Sequence, residues 1–363
     1  MATDKLIRIT CIVILCMMGV AFMVYAKSIM APIVIGIFTA FLLLPACRWL
    51  EKRSVPPTLA ALTSIMVTGI FIALLLWFMS YQFMSFSEEL PLMKEKLNEK
   101  FMALQSMVTN HFGISKQDQL QWLEKQILSA ITSSGQFAAD FFSATGNFIA
   151  AATLVPIYAF FFIYYRKKFK NFIKMVTPAT KHEKAMAILE TTSTVSFRYL
   201  MGLSIDIAIL SILNSIGFLL LGINHAIFLG IVAGLLNVIP YVGVIIGGII
   251  PVLIALITKD SIWFAVGAFG VCVVVQFLDN NFITPKVIGS AVSVNPLAST
   301  IALLVGALAW GLLGMMLSIP LTGVLKVVCD RVDSLKPFGY LLGEQEILGG
   351  IKKRKKRTPA QQP

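Results

Sequence analysis

Charge is scarce in this sequence: 13% of its 363 residues are Asp, Glu, Lys or Arg, against about 25% in an ordinary soluble domain. A chain that is also 57% hydrophobic has too little polar surface to cover its apolar surface in water, which excludes a soluble globular fold. Histidine is nearly absent, and His111, His182 and His225 stand far apart in predicted loops, so no metal-ligand spacing exists and no metal is expected. The five cysteines (Cys11, Cys16, Cys47, Cys272, Cys329) occur singly, without a CxxC pair, and read as small apolar residues. HExxH, GxSxG and P-loop patterns are missing, which removes support for an intramembrane metalloprotease, a hydrolase or a nucleotide-driven pump. The expectation is a non-enzyme without a cofactor.

What is abundant is uninterrupted apolar sequence. Leu6 to Ala26 is too long for a signal-peptide core and reads as a first span, followed by Ile29 to Leu44, Thr58 to Met79, Gly146 to Tyr165, Tyr199 to Ile223 and Ser261 to Leu278. Two further runs differ. Ala226 to Ile257 and Leu297 to Leu325 carry no charge, yet Gly and Pro interrupt both, and each is too long for one span and too short for two. The pattern predicts an all-α integral membrane protein with about eight membrane helical segments, two of them broken. Its layout is three N-terminal spans (1–86), an extracytoplasmic amphipathic segment (87–134), a fourth span (135–165), a basic amphipathic linker (166–197), a transport core (198–330) and a basic tail (331–363).

The net charge of +12 is better explained by the membrane than by nucleic acid, and no nucleic-acid partner is expected. With the N-terminus inside, 23 of the 30 Lys and Arg fall on the cytoplasmic side, so both termini are expected in the cytoplasm of a cell with this protein in its inner or plasma membrane. The tail Lys352 to Arg357 suits anionic lipid. The tally is the same whether the broken runs cross the membrane or dip in and return, because the second case only exchanges Lys259 with Lys286. As re-entrant hairpins, 199–257 and 261–325 would each be a span plus a hairpin in opposite orientation, the outline of an inverted-repeat transporter.

Broken helices leave backbone groups unpaired at bilayer depth, so either a ligand site or tight packing through small residues must compensate. Asn237, Pro240, Tyr241 and Gly243 stand at the first break, Asn295 and Pro296 enter the second segment, and Gly311 and Gly314 stand at its middle. A carboxylate in a span is expensive unless paired or hydrated. Asp206, about 12 Å along the helix from Arg198, is therefore a proton or cation candidate, with Asn214 further along the same span. Gln276, Asp279, Asn280 and Asn281 form a dense polar cluster at the end of another span, suited either to a hydrated solute or cation or to a helix cap.

Residues 234–251, Gly-Leu-Leu-Asn-Val-Ile-Pro-Tyr-Val-Gly-Val-Ile-Ile-Gly-Gly-Ile-Ile-Pro, resemble the signature of the autoinducer-2 exporter family of bacterial membrane proteins. Gln276-Phe-Leu-Asp-Asn-Asn-Phe-Ile-Thr-Pro285, Gly289, Asn295-Pro-Leu297, Gly311-Leu-Leu-Gly314 and Pro320-Leu321 resemble its other conserved stretch. Asp279 departs from the pattern, where many relatives would have Glu, but the carboxylate is kept. The resemblance implies export of a small polar solute of the autoinducer-2 type, with cation/proton antiport as an alternative. It also implies a homo-oligomer, with five subunits as the candidate number, and elevator-like movement of the repeat domain. A passive channel and a membrane scaffold are the remaining readings.

Overall fold

The computed structural model describes residues 24–112, 145–239, 242–289 and 293–344, with isolated residues between 10 and 21. Most of the expected first span, the second half of the amphipathic segment, the basic run Lys352 to Arg357 and two of the tip candidates, Pro240 and Tyr241, lie outside the described residues.

Among the described residues all regular structure is helical: α1 (Lys27–Lys52), α2 (Pro57–Phe112), α3 (Thr145–Tyr164), α4 (Arg166–Val176), α5 (His182–Leu220), α6 (Ala226–Leu236), α7 (Val242–Thr258), α8 (Trp263–Leu278), α9 (Thr284–Val287), α10 (Pro296–Trp310), α11 (Leu312–Arg331) and α12 (Lys336–Leu342). Five stretches, in α1, α2, α5, α8 with its continuation, and α11, are long and apolar enough to cross a membrane. Large apolar side chains such as Ile70, Phe71, Leu74 and Trp77 stand exposed along α2, as they do on a lipid-facing surface. The chain is an all-α, multi-pass membrane protein.

Two helices run on past the boundaries the charge pattern suggests. Helix α2 carries the third span straight into the amphipathic segment as one helix of 56 residues, and α5 joins the linker to the fifth span over 39 residues. Nothing in either stretch stops a helix: Pro91 is the only proline inside α2, and α5 has none.

The two Gly/Pro-rich runs both fold back on themselves. In the first, a Cβ at Gly243 would stand 1.6 Å from the Leu236 carbonyl oxygen and one at Gly247 would stand 3.1 Å from Ala233 Cα, so α6 and α7 lie antiparallel. Helix α6, at 11 residues or about 16 Å, cannot cross about 30 Å of hydrocarbon. In the second, Gly306 and Gly314 meet backbone to backbone across the turn at Gly311, whose φ of 63° suits glycine. Small residues also seat the first hairpin on α5. A Cβ at Gly230 or Gly234 would come within 2.2 Å of the Oγ of Ser215 or Ser211 respectively, so these glycines serve close helix approach.

The open ends of the hairpins lie at opposite ends of α5. The first is held from α2: Glu89 stands 3.2 Å from His225 at the start of α6, and Lys100 Nζ donates to the carbonyl of Leu256 (2.8 Å) and to that of Lys259 at the end of α7. These lysine bonds satisfy helix C-terminal carbonyls that have no intrahelical partner. The second opens toward the N-terminal end of α5, where Lys184 pairs with Asp333 at 3.5 Å and Asn295 Nδ2 donates to the Leu341 and Gly343 carbonyls. A helix of 39 residues, about 58 Å, separates the two ends. The hairpins therefore open in opposite directions along α5, and 199–257 and 261–325 form two helix-plus-hairpin units of opposite orientation.

At the same end as the second hairpin's base, Arg166 Nη2 donates to both Glu51 oxygens at 2.6 Å, clamping α1 to the end of α3. Above this clamp Ala40, Leu43, Cys47, Ala61, Ala159 and Ile163 pack as a small core of α1, α2 and α3.

Two outcomes follow from this arrangement. Gly234→Leu forces the side chain into Ser211 and costs about 1–3 kcal/mol or more, read as a lowered melting temperature of the detergent-solubilised protein. In a cysteine-free background, cysteines at Lys259 and Lys286 label with impermeant reagent from opposite faces of the membrane; labelling from one face would refute the opposed hairpins.

Candidate functional site

The turn of the first hairpin meets the end of α8 beside α5, and the polar residues of all three elements converge there. The end of α8 is not a simple cap. Pro285 has no N–H, and its ring crowds the carbonyl of Asn281 four residues earlier, so the chain widens into a π-turn over Asp279–Ile283 closed by the Thr284 N–H on the Asp279 carbonyl. Asn281 Nδ2 donates to the Phe277 carbonyl at 2.8 Å and so occupies an acceptor near the irregular turn.

This turn aims the Asp279 side chain inward, where it is 3% exposed. Its Oδ2 accepts from Asn237 Nδ2 (3.2 Å) and Gln276 Nε2 (3.1 Å), and its Oδ1 accepts from Thr284 Oγ1 (2.6 Å). Three donors on one buried carboxyl group fill most of its acceptor capacity. Gln276 also donates to Asn280 Oδ1 at 3.2 Å. Asp206 on α5 is equally buried at 3%, its carboxyl group is in contact with that of Asp279, and its Oδ1 has no hydrogen-bond partner among the described residues. The buried Tyr199 side chain lies on the same side of α5.

Two carboxyl groups in contact, away from water, repel strongly when both are ionised. A proton shared between them, or a cation placed on them, turns the repulsion into a bond. Asp279 accepts three hydrogen bonds, whereas Asp206 Oδ1 is left without a partner among the described residues.

Next to the pair, Leu210, Asn214, Ala233, Asn237, Gly247 and Gln276 are among the residues around a cavity of about 30 Å³. That is room for about two waters. The amides of Asn237 and Gln276 reach both the carboxylate and this cavity, while Asn214 turns its Nδ2 to the Leu210 carbonyl at 2.9 Å and lines the wall.

Of the residues singled out in the sequence, Asp206, Asn214, Asn237, Gln276, Asp279 and Asn280 are thus brought together, and Gly243 packs in the hairpin turn just behind Asn237. Asn281 bonds only to its own helix. The second-hairpin residues stand apart in role. Asn295 accepts from the Ala298 N–H as the cap of α10 and tethers α12, Pro296 begins α10, Gly311 makes the turn, and Gly314 packs on Gly306. Thr284 was not singled out, although it sits in the Thr-Pro pair that ends the polar cluster. Only the π-turn, which folds it back over Asp279, reveals its part.

Thr284→Val keeps the shape but removes one donor from the buried carboxylate, a loss of about 1–3 kcal/mol. The thermal stability of the purified protein is expected to fall and to be restored by Thr284→Ser.

The profile described as AI-2E family transporter matches residues 11–333. The chain is 25% identical over 316 residues to the candidate transport protein YrrI of Bacillus subtilis, covering 85% of this chain and 87% of that one. It is 29% identical over 325 residues to the candidate transport protein YueF of the same organism, covering 84% of each. Against the candidate transport protein YhhT of Escherichia coli the identity is 21% over 319 residues, covering 88% of this chain and 89% of the other.

Proposed function

The chain belongs to the AI-2E transporter family, and from that membership we propose that it is a secondary transporter of the bacterial inner membrane. In this reading it exports a small polar metabolite or signal of the autoinducer-2 type and is driven by proton or cation binding at Asp206 and Asp279. The observation that carries the reading is the contact of these two buried carboxyl groups at the turn of a broken helix. A loaded pair is neutral or singly charged and lets the hairpin turn pack against α5 and α8. An unloaded pair carries two charges in low dielectric and favours separation of the elements that hold them. Loading and movement are thereby linked, which is what coupling requires. The amides of Asn237, Gln276 and Asn280 supply the hydrogen bonds a neutral polar solute needs.

Cation/proton antiport is the second reading, favoured by the size of the cavity. At about 30 Å³ it accommodates an ion or water, and an organic solute requires the hairpin to move first. Both termini in the cytoplasm and a homo-oligomer, with five subunits as the candidate number, complete the proposal. The exposed apolar face of α2 is a surface suited to subunit packing or lipid.

Reconstituted vesicles with an internal pH dye test the coupling. Wild-type protein is expected to move protons or a cation with saturable, solute-dependent kinetics. Asp206→Asn and Asp279→Asn are each expected to lower the rate at least about ten-fold, the effect of about 1.4 kcal/mol of lost binding, and to flatten its pH dependence. Unchanged rate and pH profile in both variants would remove the coupling proposal, and conductance without saturation would indicate a channel instead.

A further inference from the structure

Helix α4 follows α3 after a single intervening residue, Tyr165, so it starts directly at the aromatic end of that apolar helix. Its sequence, Arg-Lys-Lys-Phe-Lys-Asn-Phe-Ile-Lys-Met-Val, has Phe169, Phe172, Ile173 and Val176 at helical i, i+3, i+4, i+7 spacing, with the cations toward the other side and no acidic residue. In a soluble protein that apolar stripe would be buried. Here no residue of α4 is buried: Phe172 is 62% exposed, Val176 68% and the adjacent Met175 86%. Of its cations, Arg166 is engaged by Glu51 and Lys170 stands 3.6 Å from Glu190, whereas Lys167, Lys168 and Lys174 have no carboxylate within ion-pair distance among the described residues. Phe169 is tethered to α3 by its ring contact with Phe162, centroids 5.6 Å apart.

We propose that α4 lies flat in the membrane interface as an anionic-lipid docking helix, its Phe169, Phe172 and Val176 stripe in the acyl boundary and Lys167, Lys168 and Lys174 on phosphate headgroups. An apolar stripe left uncovered one residue from a span has hydrocarbon within reach, and a helix of strong amphipathicity and low net hydrophobicity settles in that plane. Three lysines without a carboxylate partner, Lys168 among them resting over the Tyr165 ring at 5.7 Å, meet the negative surface potential of anionic phospholipid, each contributing on the order of a five-fold preference over neutral lipid. The partner is the lipid surface, not a soluble phosphate, because the apolar face supplies half of the recognition.

The test uses the full chain with its five native cysteines replaced by alanine or serine and a polarity-sensitive fluorophore on Phe172→Cys. It is reconstituted in phosphatidylcholine alone or with phosphatidylglycerol. With phosphatidylglycerol present, the emission is expected to shift to the blue and to be quenched by nitroxide-labelled lipid more than by aqueous iodide. The combined Lys167→Gln, Lys168→Gln, Lys174→Gln variant is expected to lose most of that dependence on anionic lipid, and the corresponding triple arginine variant to keep it. Iodide quenching that equals that of a free fluorophore in both membranes overturns the proposal. So does protection from both quenchers, which would mean that protein covers the stripe, and so does equal lipid quenching in both membranes, which would mean insertion without headgroup recognition.

Discussion

A helix that stops inside a bilayer has no water to receive its terminal N–H and C=O groups, and each one left unpaired costs several kcal/mol. This chain breaks helices at least twice within uncharged apolar sequence, and much of its structure answers that constraint. Around the first break, Asn237, Val238 and Ile239 donate their N–H groups to the carbonyls of Ala233, Leu235 and Leu236, and Gly243 donates to Ile239, so the turn between α6 and α7 satisfies much of its own backbone. At the second, Gly311 and Met315 continue the same local pairing around a positive-φ glycine. At the end of α8 a π-turn does equivalent work, with the side chain of Asn281 on a main-chain acceptor.

Keeping those turns close to other helices needs small residues, and that requirement explains the glycine pattern. Gly230 and Gly234 bring α6 onto Ser215 and Ser211 of α5, Gly243 and Gly247 close the first hairpin, and Gly306 and Gly314 close the second. With the backbones this near, a polar side chain at a turn has only protein to bond to. Asn237 accordingly reaches across to Asp279, and Asp279 to Asp206 through their shared contact. The polar site results from the same close approach that makes the hairpins stable. The C-terminal half of α2, through Glu89 and Lys100, fixes the open end of the first hairpin against the rest of the protein.

How much of this could be read from residues alone depends on the range of the interaction. Helix class and membrane placement follow from local composition: runs without charge need lipid whatever their neighbours do, and Gly and Pro mark where such runs break. The singular carboxylates Asp206 and Asp279 also stand out locally, because a charge in an apolar run is costly wherever it finally sits. Helix ends were less legible. The charge pattern divides α2 near residue 86 and α5 near residue 198, but a backbone without stop signals continues through a change of solvent.

The sequence by itself determined that this is a helical membrane protein with two interrupted segments and isolated buried-type polar groups, since those properties depend on short-range composition. Only the tertiary structure decided that the interrupted segments are opposed hairpins, because cytoplasmic charge counts are equal for either path and the sides are distinguished by contacts such as Lys100 with Leu256 and Lys184 with Asp333. Only it joined Asp206 to Asp279, 73 positions apart in the chain, and brought Thr284 over the carboxylate through a π-turn. Such pairings follow from how helices pack, and packing is fixed by all the elements together and not by the spacing of any one of them.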